Sequence, residues 1–145
     1  MAADGVALEL TLRLGFDTAA LVLIWLVELV IYPVFRHLDR ARFRGWHTVY
    51  TGRVTLVVMP VMLGQMALYA WLIISTPSWS VVVNLLLIVA VWASTFLFAV
   101  PLHGALDGDD DHLPLTDRLI AVNRWRTMGW TLVWLVTAVT VFARI

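Results

Sequence analysis

Seven side chains of this sequence are of types that move protons, hold oxyanions or ligate metals, and all of them fall near the ends of apolar runs. His47 and Tyr50 stand three residues apart, as do Asn123 and Arg126, so each pair shares one face of a helix. His103 closes the segment Val100-Pro101-Leu102-His103. Glu28 and Tyr32 lie at the end of a run that finishes with Pro33-Val34-Phe35. Imidazoles exchange protons near neutral pH, so His47 and His103 are candidate general bases or acids. Arg126 and Asn123 are of the types that hold an enolate or phenolate oxygen. Tyr50, Glu28, Tyr32 and Trp130 would complete a pocket for an apolar small molecule. A different chemistry uses the same residues: His47 and His103 on facing helices, with Glu28, could hold haem or a metal ion. Taken singly, each of these residues also fits a plain role as an anchor at the end of a membrane helix.

Three further features call for a reading. Glu28 sits seven residues before Phe35, about 10 Å into its run at helical rise. A carboxylate there is a proton-handling group, a metal ligand or an interhelical hydrogen bonder, and burial is expected to keep it protonated unless Arg53 or Arg126 reaches it. Gln65 is read as an interhelical hydrogen bonder. The acidic stretch Asp107-Gly108-Asp109-Asp110-Asp111-His112 resembles the start of a calcium loop, but Arg118 stands where the twelfth-position Glu belongs, so it reads as a solvated loop.

The elements that must position these groups follow from composition. Of 145 residues, 61% are hydrophobic and 14% charged, and mean hydropathy is +0.88. A soluble domain of this size has too much surface to hide so much apolar side chain. This excludes a soluble enzyme, a disordered chain and a nucleic-acid binder, and leaves an integral membrane protein. There is no Cys, which removes thiolate chemistry, and no P-loop, dinucleotide-binding or serine-nucleophile motif. Asp4, Glu9 and a lone Arg13 do not make the basic start of a signal peptide, so the first apolar segment is expected to stay.

From Val54 to Leu106 there is no Asp, Glu, Lys or Arg, and the one turn signal inside is Ser75-Thr76-Pro77-Ser78. That stretch is two crossings. With an apolar run on either side, the chain reads as a single all-α domain, an up-and-down four-helix transmembrane bundle with helices at about 17–35, 40–74, 80–103 and 116–143. Asp39 and Thr116 are the expected N-caps of helices 2 and 4, which then extend beyond the bilayer. Eight of the ten Arg lie in the 1–2 and 3–4 connections. The positive-inside rule places those connections in the cytoplasm and both termini outside, in a bacterial inner membrane, with Trp46, Trp79 and Trp125 at the interfaces. Counted from the edges of the apolar runs, His47 and His103 differ in depth by about 10 Å.

Tyr32-Pro33, Pro101-Leu102-His103-Gly104-Ala105-Leu106 and Asn123-Arg124-Trp125-Arg126-Thr127 together resemble the small four-helix membrane proteins related to fungal anthrone oxygenases. The nearest likeness is to a bacterial subfamily carrying His47-Thr48-Val49-Tyr50-Thr51-Gly52-Arg53. His103 stands where that family shows Asn. The resemblance implies a four-helix bundle and oxidation of an aromatic or polyketide-like substrate without a defined cofactor. Three functions are therefore open: an oxygenase- or isomerase-like membrane enzyme, a haem or metal protein, and a non-catalytic subunit packing on other membrane subunits.

Overall fold

The computed structural model describes residues 2–108 and 112–143, and every regular element among them is helical. Four rods result. The rod α1 covers residues 2–35, α2 is Arg40–Ser75, α3 is Trp79–Leu106 and α4 is Leu113–Phe142. Rods adjacent in sequence are neighbours in space, and α4 closes the square by packing along both α3 and α1. Three of the four, α1, α2 and α3, are long and apolar enough to cross a membrane. Their outward faces carry Val22, Leu29, Leu56, Ile74, Leu86 and Leu97, all exposed. Such a surface is soluble in lipid and not in water.

The caps explain the starts. Asp39 holds extended backbone and its carboxylate accepts from Arg42 N–H at 3.0 Å, which opens α2. From there α2 runs unbroken through Gly45, Gly52 and Pro60. Ser78 caps α3 in the same way, accepting from Val81 N–H. The fourth helix departs from the sequence expectation. It starts at Leu113, with His112 as N-cap and Pro114 in the first turn, and Thr116 lies inside it. Pro is already set for a first turn and lacks only an N–H that would have no partner there, so it outcompetes a Thr two positions later. The first helix also begins earlier than the apolar run, at Ala2 rather than near Asp17.

Two rods are not α-helical throughout. In α1 a π turn occupies Val27–Ile31, with Tyr32 N–H bonded to Val27 O; in α3 another occupies Thr95–Ala99, with Val100 N–H bonded to Thr95 O. Each wide turn is followed by an X-Pro pair, Tyr32-Pro33 and Val100-Pro101. A proline ring collides with the carbonyl four residues back. Widening the preceding turn relieves that collision and adds a residue to it. The helix resumes rotated, which turns Tyr32 and His103 inward.

Two glycines mark the closest approaches between rods. A Cβ on Gly64 would meet the Phe16 ring, and one on Gly129 would meet the Val91 side chain. Gly129→Leu should therefore overpack the α3–α4 seam and cost about 1–3 kcal/mol. The measurement is the unfolding midpoint in detergent, and an unchanged midpoint would refute the close approach.

Candidate functional site

Polar side chains are buried in two layers, one at each end of the bundle. At the end where α2 and α4 begin, His47 is fully buried and Tyr32 nearly so. His47 Nδ1 lies 2.7 Å from Asp107 Oδ1, His47 Nε2 lies 2.9 Å from His103 Nδ1, and His103 Nε2 lies 2.9 Å from the Tyr32 hydroxyl. An ionised carboxylate can only accept. In the neutral pair this fixes every proton: His47 Nδ1–H donates to Asp107, His103 Nδ1–H donates to His47, and Tyr32 O–H donates to His103. Asp107 is 46% exposed at its side chain while His47 is 0% exposed, so the chain of bonds leads from water into the bundle.

Packing holds this chain in register. Phe35 is fully buried and sets its ring edge against His47 at 5.6 Å and against His103 at 6.4 Å. Phe43 stacks on His47 at 5.2 Å, and on its other side His112 lies 4.2 Å away and bonds the Phe35 carbonyl. Edge and face contacts of this kind add about 0.5–1.5 kcal/mol beyond burial. Imidazoles so enclosed cannot swing away from their partners.

Beyond Tyr32 the chain opens on a cavity of about 370 Å³. Tyr32, Tyr50, His103 and Arg126 line one end; Val27, Val54, Val58, Met59, Met62, Phe96, Ala99 and Val100 form the rest. Thr51, Thr55 and Thr95 also line it, but their hydroxyls bond their own helix carbonyls, leaving apolar walls. Arg126 is 8% exposed, and one of its nitrogens donates to Asn123 Oδ1 at 3.3 Å. Its Nε has no hydrogen-bond partner among the described residues, and no carboxylate there forms an ion pair with it. Apart from Asn123, Arg126 meets the Tyr32 hydroxyl, so its charge faces only neutral groups, which is costly unless something else meets it.

The remaining sequence candidates lie close by but outside the cavity. Asn123 is buried, donates to Glu28 Oε2 at 2.7 Å and holds Arg126 through its oxygen. Glu28 is largely buried in a different groove, between α1 and α4. The cation that reaches it is Arg124, at 3.6 Å, and not Arg53 or Arg126. Trp130 packs in the apolar core with Ile24, Met62 and Val133 rather than on the cavity. The 10 Å depth difference between the two imidazoles is absent, since they are bonded directly. Apolar run edges do not mark depth here, because the Arg-bearing start of α2 lies alongside the last turns of α3. All four of their ring nitrogens have protein partners, so ligating haem or a metal would break one of these bonds.

Asp107, read from the sequence as part of a solvated loop, is the outer end of this chain of hydrogen bonds; Asp109 to Asp111 lie outside the described residues. The sequence reading also missed the second polar layer. At the opposite end Asp17 accepts from Gln65, Tyr69 and Thr137, each at 2.6 Å. Asn84 donates to the Tyr69 and Thr137 oxygens, and fully buried Arg13 donates to Ser80 at 3.0 Å. One carboxylate thus ties α1, α2 and α4 directly, and α3 through Asn84. Gln65 is the interhelical bonder expected of it.

Compared with family models, with curated proteins and with solved structures, this chain matches none.

The two layers should respond differently to loss of their carboxylate. Asp17→Ala leaves the buried donors of Gln65, Tyr69 and Thr137 without their acceptor, while Arg13 keeps Glu9 and Ser80, and should cost about 3–5 kcal/mol. Asp107→Ala removes a half-exposed acceptor and should cost about 1–2 kcal/mol. Unfolding midpoints of the two variants in detergent test this, and equal midpoints would refute the distinction.

Proposed function

We propose that this protein takes an apolar molecule bearing an acidic oxygen from the lipid and exchanges that oxygen's proton with water. The single observation behind this reading is the unbroken run of hydrogen bonds from the cavity wall to an exposed carboxylate. The ligand's O–H gives its proton to the Tyr32 oxygen as Tyr32 gives its own to His103 Nε2. The His103 Nδ1 proton passes to His47 Nε2, and the His47 Nδ1 proton passes to Asp107 and on to water. One proton enters and one leaves. The ligand's oxyanion is left facing Arg126, which Asn123 orients. An isomerase-like reaction on an enolisable carbon acid would use the same groups in the same roles. Kinship with the anthrone-oxygenase-like membrane proteins belongs to this proposal and rests on the sequence motifs alone.

The test is stopped-flow detection of proton release, with a pH-indicator dye, when detergent-solubilised protein meets a fatty acid, an alkylphenol or an enolisable diketone. The wild type should release one proton per ligand bound. Tyr32→Phe and His103→Gln should bind that ligand and release the proton at least about 100-fold more slowly. Unchanged release rates in both variants, or no binding of any of the three acids, would overturn the reading.

In the same proposal α4 is a fourth crossing, the Arg-rich end faces the cytoplasm, and both ends of the chain lie outside. In support, α4 packs along two helices that are themselves long and apolar enough to cross. It also exposes Leu132, Leu135, Val139 and Phe142 on its outward face. A reporter active only in the cytoplasm, fused after Ile145, should be inactive. Full activity there would reverse the orientation.

A further inference from the structure

The cavity has a direction as well as a composition. Its polar groups, Tyr32, Tyr50, His103 and Arg126, are gathered at the end where the exposed Asp107 and the Arg-bearing start of α2 also lie. From Tyr50 its α2 wall continues through Val54 and Val58 to Met62, about 18 Å at helical rise. Over that length it meets only apolar side chains and threonines whose hydroxyls are already bonded to their own helix. Beyond Thr95 the last turns of α3 pack their backbone on α4 and meet α2 through side chains, His103 on His47 and Arg40 on the Leu106 carbonyl. The cavity's side is therefore open where Thr55, Phe96 and Val100 are exposed. Polar at the membrane surface, apolar toward its middle and open sideways, the cavity repeats the polarity of one lipid leaflet.

At the polar end the unmet group is a cation. Arg126 is more than nine-tenths buried, lines the cavity and keeps a donor without a partner among the described residues. The Tyr50 hydroxyl, which lines the same end, has no protein hydrogen bond among them either. A neutral headgroup would leave the guanidinium uncompensated. Methionines at the far end, Met59 and Met62, give a wall that adapts to a flexible chain better than to a rigid ring system.

We infer that the occupant is a single-chain amphiphile with an anionic oxygen headgroup, its head on Arg126 and Tyr50 and its acyl chain along α2 toward Met62. This rests on the proton-exchange reading for the site but names what that reading leaves open. A free fatty acid and a lysolipid phosphate monoester share this chemistry. Either enters sideways from the leaflet without leaving its own depth or orientation.

Native mass spectrometry of the full-length protein from dodecyl maltoside micelles tests it, with three probes of one chain length: oleic acid, 1-oleoyl lysophosphatidic acid and oleyl alcohol. At least one of the two anions should bind with one-to-one stoichiometry and at least tenfold more tightly than the alcohol. Oleic acid alone would name a carboxylate headgroup and the lysophosphatidic acid alone a phosphate; both would leave the shared anion as the determinant. Arg126→Gln keeps a donor for Asn123 and should weaken anion binding by about ten- to hundred-fold, with alcohol binding unchanged. Val58→Trp fills the apolar stem and leaves Arg126 itself unsubstituted, and should abolish binding of all three, which decides the matter if the Arg126 variant does not fold. Equal binding of alcohol and anions, anion binding undiminished in Arg126→Gln, full binding in Val58→Trp, or no binding of either anion would each overturn the inference. A wild type that binds an anion while Tyr32→Phe leaves proton release unchanged would sink the relay and leave the amphiphile site standing.

Discussion

A polar group placed between helices whose outer faces are Val, Leu and Ile has no water to turn to, so its partners must come from other helices. Both buried layers of this bundle obey that constraint, and the four-rod arrangement depends on it. Side-chain shape alone gives weak direction to helices sliding in lipid, because lipid tails are as apolar as the helix faces. Asp17 removes that freedom at one end. Its oxygens require Gln65 and Tyr69 of α2 and Thr137 of α4 at one level, and Asn84 brings α3 to the same level. Gly64 under Phe16 and Gly129 under Val91 then allow the rods to come close enough for those bonds to be short.

The two layers satisfy the same constraint with different consequences. Around Asp17 the bonds converge on one carboxylate, with a fully buried Arg13 beside it, and none of the cavities described here opens on them. A convergent, closed cluster resists displacement and gives a proton nowhere to go. Around His47 the bonds are strung in a line, each imidazole using one nitrogen to donate and one to accept. A line of groups that each both donate and accept is what proton transfer requires. Its outer end is wet at Asp107 and its inner end opens on a cavity, the arrangement on which the proposed proton exchange rests.

How much of this was legible in the sequence depended on which signal carried it. The four rods, the turn at Thr76-Pro77-Ser78 and the Asp39 cap followed from hydropathy and local chemistry. The gathering of His47, His103, Tyr32, Tyr50 and Arg126 followed from helical spacing and antiparallel order. Asp107 was hidden because its neighbours in sequence are acidic and polar, and its partner lies sixty residues away on α2. The Asp17 cluster was hidden because Arg13 and Asp17 sit where an apolar run begins, and flanking charges there ordinarily face water. Their spacing of four, which puts both on one helical face, was the available clue; Gln65 and Tyr69 repeat it on α2. Trp130 lies one turn beyond Arg126 on α4, where the same face packs into the apolar core.

The π turns tie backbone to chemistry in a way that spacing rules could not show. Counting 3.6 residues per turn fails wherever a turn holds one residue more, so it could not tell which way Tyr32 and His103 face. Both failures occur just before a proline, and both lie directly upstream of a relay residue: Tyr32 follows one wide turn, and His103 lies four residues after the other. With ordinary α turns at Val27–Ile31 and Thr95–Ala99, the segments after them would be rotated by about 100°, one residue's share of a helical turn. Tyr32 and His103 would then leave the line that His47 begins. The prolines thus shape the site through the backbone: each removes one backbone hydrogen bond, and the hydrogen bonds across the bundle hold the resulting rotation in place.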